Sequence, residues 1–418
     1  MKRIVLVGNY HGKNMGDNSI CFSIIKNLKN VESEIIFTIV SNNNNCNYDN
    51  RQKFVKGIYY NDIRFIHFFE YIEKIFLIKK NAFINNIFHL LELLYFSLFL
   101  IQNKETRDIL KKSTCVVIGG GGIIQDTYKK SLIHYLGYIF VSHFLNKKIV
   151  LYCVGCASIH QQSNKYLVNK IFNFVDLISV RDEDSKKLLE NIGLENVISL
   201  YDPSFNIKFK KNNENVKTSQ RKKIGISVIP YYDKRYWPVS NNKIYSKYKR
   251  TIEKIINELT STKYTVCIIP TTAWDINVAK DIVKNVKDKS SIRILYSYDK
   301  NDLMNHIDEM DILITTRYHS LIFAISMEKP VIAIDYHPKT KSLINRFNLH
   351  KYAVGIGEIN SKRILDLVGK IENDREIINQ IRKIKHNMVK DNFKNFRKLN
   401  DYVLTPSCNN NYQAKKYV

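Results

Sequence analysis

Residues 311–339 read DILITTRYHSLIFAISMEKPVIAIDYHPK. Asp311 to Thr316 is a short apolar run closing on threonines, the pattern of a buried parallel strand. Ser320 to Met327 is a helix-forming segment that stops before Pro330, and Val331 to Tyr336 is a second apolar run. Strand, helix and strand in this order make a βαβ unit, and in open α/β sheets ligands bind beyond the carboxyl ends of the strands. Arg317, His319, His337 and Lys339 all fall just past those ends. In a strand-to-helix turn Arg317 and His319 can converge on one ligand, whereas residues two apart on a regular helix face different ways. Arginine contributes a rigid fork for phosphate or carboxylate, lysine a point charge, and histidine a proton that moves near neutral pH. Together they suit an anion that undergoes acid–base chemistry.

The same alternation of strands and helices runs outward from this stretch. At the amino terminus a strand, Arg3 to Val7, feeds the loop Gly8 to Asp17, and Ser19 to Leu28 is helical. Such a loop can bring backbone N–H groups and a helix N-terminus against an anion. It is not a phosphate-binding P-loop, because its Gly-to-Gly-Lys spacing is short and Asn14 stands where a hydroxyl would hold magnesium. A tight turn with no ligand is the plain alternative. Thr114 to Ile118 opens onto four glycines, Gly119 to Gly122, which can face a cluster of N–H groups at a ligand or serve close packing. Lys148 to Val154, Leu177 to Val180 and Val197 to Leu200 add strands, with Arg181 and Asp182 following the second. After the polar linker Lys208 to Lys223, strands restart at Ile224 to Ile229, Thr265 to Ile269 and Ile292 to Tyr296. The expected fold is therefore α/β, two Rossmann-like domains facing a cleft. Residues 1–210 form the first, with a helical apolar insertion at about 63–101; residues 222–350 form the second and carry Arg-x-His; residues 351–418 are C-terminal helices and a tail.

A chain of 418 residues suits two cores, and 44% hydrophobic residues can fill them. The formal charge of +26 attracts anions, but the basic residues are scattered and no nucleic-acid motif accompanies them, which argues against a dedicated nucleic-acid binder. Met1-Lys2-Arg3 runs straight into a strand and a glycine turn, too short for an export signal, so a cytoplasmic setting with seven reduced cysteines is expected. Cys153-x-x-Cys156 lacks a second ligand pair and a helix starting at its first cysteine, which favours a structural role. Within 63–101, Asn85, Asn86, His89 and Glu92 interrupt an apolar run that approaches a membrane span. Two readings stand: a helical hairpin packed on the domain, or an interfacial helix seated on an anionic membrane with Lys79 and Lys80 toward lipid phosphates.

Several of these stretches together resemble one family. Thr-Arg-Tyr-His-Ser-Leu-Ile-Phe-Ala at 316–324 and Pro-Val-Ile-Ala-Ile-Asp-Tyr-His-Pro-Lys at 330–339 are similar to the signature of the polysaccharide pyruvyl transferases. In the expected order come Gly8 to Asp17 with its Asn-x-Gly-Asp core, Gly119 to Asp126, and Val180 to Ser185 followed by Asp202-Pro203. The resemblance implies a glycosyltransferase-B-like arrangement and transfer of pyruvate from phosphoenolpyruvate to two hydroxyls of a sugar, with no metal or cofactor. It implies His319 as the acid, Arg317 and Arg181 on phosphate and carboxylate, and Lys339 as a helper. Asn14, Gly16, Gly120, Gly121 and Gly122 belong to the donor loops, and Asp17 or Asp126 orients or deprotonates a sugar hydroxyl. A lipid-linked acceptor would give contact with an anionic membrane a purpose. A nucleotide-sugar glycosyltransferase of the same fold, or a basic RNA- or lipid-binding protein, are the alternatives.

Overall fold

The computed structural model describes residues 1–10, 14–41, 52–56, 82–126, 129–207, 221–237, 239–374 and 376–405. The polar loop Asn42 to Asn45, the first part of the apolar insertion, most of the linker and the tail from Pro406 lie outside them. The chain divides into two compact units. One comprises Met1–Gly12, Asp17–Pro203 and Asp391–Val418, the other Lys13–Gly16 and Ser204–Lys390. The stretch 351–418, which in sequence reads as a single C-terminal segment, is therefore shared between the two. The division falls inside one helix, Glu376–Leu404.

The first unit is built on a seven-stranded parallel sheet of β1 (Lys2–Val7), β2 (Ile35–Ser41), β3 (Gln52–Lys56), β4 (Cys115–Gly119), β5 (Lys148–Val154), β6 (Leu177–Val180) and β7 (Ile198–Ser199). The order is β3-β2-β1-β4-β5-β6-β7. β4, β5 and β6 are buried at every residue, as expected of strands covered on both faces. Each fully buried Val, Leu or Ile there contributes about 1.5–3 kcal/mol. Helix Ala82–Gln102 packs on helices Lys129–Phe144 and Gln162–Phe172, close enough that a Cβ on Gly137 would meet the Phe96 ring at 2.4 Å. Two of its polar residues turn inward: Glu92 is buried, and buried His89 meets Asn164 Oδ1 at 2.9 Å. The outer face carries exposed Ile87, Leu90, Leu91, Leu94 and Leu98. The end of Glu376–Leu404 belongs to this unit, with the Lys148 ammonium donating to the Tyr402 carbonyl (2.7 Å) in its last turn.

The second unit carries a six-stranded parallel sheet of β8 (Lys222–Ser227), β9 (Tyr264–Ile268), β10 (Ile292–Ile294), β11 (Ile312–Thr315), β12 (Val331–Asp335) and β13 (Ala353–Gly355), ordered β10-β9-β8-β11-β12-β13. In both sheets the strand order reverses beside the first strand. The switch points lie between β1 and β4 and between β8 and β11, and ligands bind at the carboxyl ends there. Gly8 and Gly120–Gly122 follow the first pair of strands, and Arg317 follows the second.

Candidate active site

In the second unit the Ser227 hydroxyl, at the end of β8, accepts from the backbone N–H of Thr316 (2.9 Å) and of Arg317 (3.2 Å). This pins Arg317 as the extended N-cap of helix Tyr318–Ser326. Arg317 Nε donates to both oxygens of Asp275 at 3.1 Å, and Nη2 donates to Asp275 and to Thr272 Oγ1 (3.4 Å). Asp275 is fully buried and sits in the first turn of helix Ala273–Val283. With Thr272 it forms a capping box, and its Oδ2 also accepts from the N–H of Thr271 (3.2 Å) and Thr272 (3.1 Å). Burial opposes the guanidinium charge, but the Asp275 carboxylate outweighs it and raises the Arg317 pKa. Nη1 makes no hydrogen bond among the described residues, and the side chain keeps 20% of its surface exposed. The fork is fixed at one edge and open at the other.

His319 lies two residues on, at the second position of the same helix. Its ring occupies the place of a side chain at Gly16, where a Cβ would stand 2.1 Å from Nδ1. The Gly16 N–H is held by Asn14 Oδ1 at 3.0 Å, Asn14 pairs in antiparallel fashion with Thr272, and the Met15 N–H donates to the Thr271 carbonyl (3.0 Å). Asn14 and Gly16, read from the amino-terminal loop, thus join Arg317, His319, Thr272 and Asp275 in one constellation. Lys339 lies near it, with its ammonium 5.8 Å from the Tyr318 ring centre. Its N–H donates to Nδ1 of the helix-capping His337 at 3.3 Å.

The first unit has its own set at the β1–β4 switch point. Gly120 and Gly121 take φ of +90° and +71°, which glycine alone adopts readily. A Cβ on Gly121 would lie 2.7 Å from Asp17 Oδ1, and the buried Asp17 is oriented by Asn9 Nδ2 at 2.9 Å. The Arg181 guanidinium rests on Gly155, where a Cβ would be 2.6 Å from Nε, and stands 3.8 Å from the Cβ position of Gly122. Arg181 is buried, donating through Nη1 to Asp202 Oδ2 at 3.1 Å, with Asp182 Oδ2 3.6 Å from Nε. The neighbouring Asp182 also caps the helix Glu183–Asn191. The two carboxylates fix the direction of the buried guanidinium.

Asp126 has a different place. Its Oδ2 accepts from the N–H groups of His160 (2.8 Å) and Gln161 (2.9 Å) and from Asn164 Nδ2 (3.2 Å). It thereby fastens the start of helix Gln162–Phe172, whose own N-cap side chain makes no bond. These bonds occupy Oδ2 alone; Oδ1 is buried with no hydrogen-bond partner among the described residues. Burial pushes the thiols of Cys153 and Cys156 well up, so neither has thiolate character, in keeping with a structural role. Asp275 was missed from sequence: Thr272-x-x-Asp275 is legible as a cap, but not as the counter-ion of an arginine 42 residues away.

No curated protein matches the chain. Among solved structures, the S. aureus MnaA–UDP co-structure shares the fold at 13% identity and a TM-score of 0.56, covering 96% of this chain and 98% of that one. A glycosyltransferase from Rickettsia africae aligns at 12% identity and TM-score 0.55, covering 95% and 98%. The UDP-GlcNAc 2-epimerase of Methanocaldococcus jannaschii, solved with UDP-GlcNAc and UDP, aligns at 13% and 0.54, covering 90% and 94%. At such identities the likeness is one of fold, that of GT-B glycosyltransferases and UDP-GlcNAc 2-epimerases. Residues 14–338, well over half of the 418, match the polysaccharide pyruvyl transferases, and they contain Asn14, Gly16, Arg181, Arg317 and His319: the chain belongs to the polysaccharide pyruvyl transferase family.

Proposed function

We propose that the protein transfers pyruvate from phosphoenolpyruvate to two hydroxyls of a sugar acceptor in cell-surface polysaccharide assembly, closing a ketal and releasing phosphate. The observation that carries this is Arg317, held along one edge by Asp275 with Nη1 open, two residues from a histidine seated on Gly16. The donor bears a phosphate and a carboxylate, both bidentate partners for a guanidinium. His319 delivers a proton to the methylene carbon, and the carbon bearing phosphate gains positive character. One sugar hydroxyl adds there, the bond to the phosphate oxygen breaks, and the second hydroxyl closes the ring. One hydroxyl proton makes good the proton given to the methyl group, and the other leaves with phosphate. Asp17, next to Gly16 in the chain, offers a carboxylate for a sugar hydroxyl. Lys339 supplements the charge of Arg317; the first unit, taken by itself, carries a separate anion-binding set of Arg181 and the backbone N–H groups of Gly120–Gly122.

Among the described residues no helix is long and apolar enough to cross a membrane. The exposed leucine stripe of Ala82–Gln102, followed by exposed Lys104, Lys111 and Lys112, suits seating on an anionic membrane from the cytoplasmic side, where a lipid-carried acceptor would be met.

The test is a thermal-shift comparison of phosphoenolpyruvate with a nucleoside diphosphate sugar, followed by phosphate release against a sugar panel. A ligand at a hundredfold excess over its Kd stabilises by about 2.7 kcal/mol. Phosphoenolpyruvate is expected to raise Tm, and Arg317→Ala to weaken that response. Stabilisation by the nucleotide sugar alone would replace this proposal with a glycosyltransferase.

A further inference from the structure

The chain has two tryptophans, and both lie in one aromatic wall of the second unit, at the carboxyl ends of β8 and β9. Trp274 and Tyr236 stack with ring centres 5.5 Å apart and planes at 14°, while Trp237 stacks on Tyr232 at 5.5 Å and 25°. Trp274 is 51% exposed, an unusual exposure for so large an apolar ring.

The wall is rigid for a nameable reason. Arg235, in the loop carrying Tyr236, is clamped on the buried Asp233 through Nε and Nη2 and reaches Asp281 (2.6 Å) and the Tyr245 hydroxyl (2.9 Å). Asp281 lies on helix Ala273–Val283, the same helix that presents Trp274, so loop and helix are tied together. The Arg235 guanidinium carbon stands 5.5 Å from the Tyr236 ring centre. Asn277, one turn beyond Trp274, donates to the Tyr236 hydroxyl, and its own carbonyl oxygen has no partner among the described residues. Trp274 is the chain neighbour of Asp275, the carboxylate that holds Arg317.

We propose that the stacked Tyr236–Trp274 pair is the platform on which a pyranose ring of the acceptor lies, one residue along the chain from the carboxylate that holds Arg317. The inference rests on the pyruvyl-transfer proposal above. A pyranose has a face of C–H bonds and a rim of hydroxyls. The free face of the exposed indole, opposite the one Tyr236 covers, matches the C–H face, and the Asn277 carbonyl oxygen, one turn along the same helix, matches the rim. The pairing tolerates many sugars at the ring face, so discrimination falls to the polar rim.

The tryptophan count makes the test direct. Trp237→Phe leaves Trp274 as the sole tryptophan of the full chain, to be titrated with methyl glycosides of glucose, galactose and mannose, and separately with UDP and phosphoenolpyruvate. At least one pyranoside is expected to change Trp274 emission saturably. Trp274→Ala should raise KM for the sugar at least tenfold in the phosphate-release assay, with the phosphoenolpyruvate-induced rise in Tm retained, and Trp274→Phe should recover most of the loss. Unchanged emission with every pyranoside, together with an unchanged sugar KM in Trp274→Ala, overturns the platform and leaves the donor reading standing. Emission responding to UDP and to no sugar gives the wall to a nucleobase and also overturns it. Failure of phosphoenolpyruvate to stabilise the unaltered protein is a distinct result that removes the pyruvyl-transfer proposal, and the acceptor assignment with it.

Discussion

Replacing Asp275 by asparagine leaves the shape of the side chain and removes its charge, which makes it the sharpest probe of how Arg317 is held. The carboxylate is fully buried and the arginine side chain 20% exposed, so the pair is mostly shielded from water. Breaking a fully buried pair costs about 3–5 kcal/mol. Here the substituted amide would keep one acceptor oxygen and Arg317 retains some solvent, so about 2 kcal/mol and a fall of several degrees in Tm are expected. The larger effect falls on turnover, because Arg317 is no longer fixed with Nη1 toward the donor. A charge-assisted contact contributes about 1.5–3 kcal/mol, which translates into roughly 10- to 150-fold in kcat/KM for phosphoenolpyruvate. The assay is steady-state phosphate release for Asp275→Asn, Arg317→Ala and the double variant, with circular dichroism to establish folding. If Asp275 acts through Arg317, the double variant loses no more than Arg317→Ala alone. A folded Asp275→Asn protein within twofold of the original, or losses that multiply in the double variant, would refute the reasoning.

Gly16→Ala puts a methyl group where His319 packs, 2.1 Å from Nδ1, so turnover should fall nearly as far as in His319→Ala, with Tm altered by only a few degrees; near-normal phosphate release would show that the ring position is immaterial. His134 is buried in the core of the first unit beside Phe96 and Tyr138, and burial lowers its pKa from 6.5 to about 3. The unfolded chain therefore binds the proton first: the contribution is intact above pH 6.5 and is lost as pH falls toward 3, amounting to about 2 kcal/mol by pH 5. His134→Leu should flatten the pH dependence of Tm over that window, and an unchanged slope would assign it to other groups. Leu90→Gln with Leu94→Gln and Leu98→Gln should abolish flotation with anionic liposomes at low salt, whereas equal flotation of the triple variant would place membrane contact elsewhere.

The βαβ unit at 311–339 is legible from sequence because parallel strands covered on both faces must be continuously apolar, and β11 and β12 fall within the two runs so identified. β5 and β6 match at both ends, since strong apolar runs bounded by polar turns leave little freedom. The family signature is legible for a different reason: its residues cluster at strand ends, where backbone geometry restricts what can stand. Tertiary structure alone decides which distant groups meet. Nothing in the spacing of Gly16 and His319 announces that an absent side chain in one makes room for the ring of the other. Asp126 and Asp275 are both acids near strand ends, yet one holds a helix start and the other Arg317, because partners are fixed by sheet order rather than by local sequence. His89 and Glu92 interrupt an apolar helix when it is read in one dimension. Folded, they face the protein and leave an unbroken leucine stripe outside, because a helix sorts residues by angle and only its packing fixes which angle is inside.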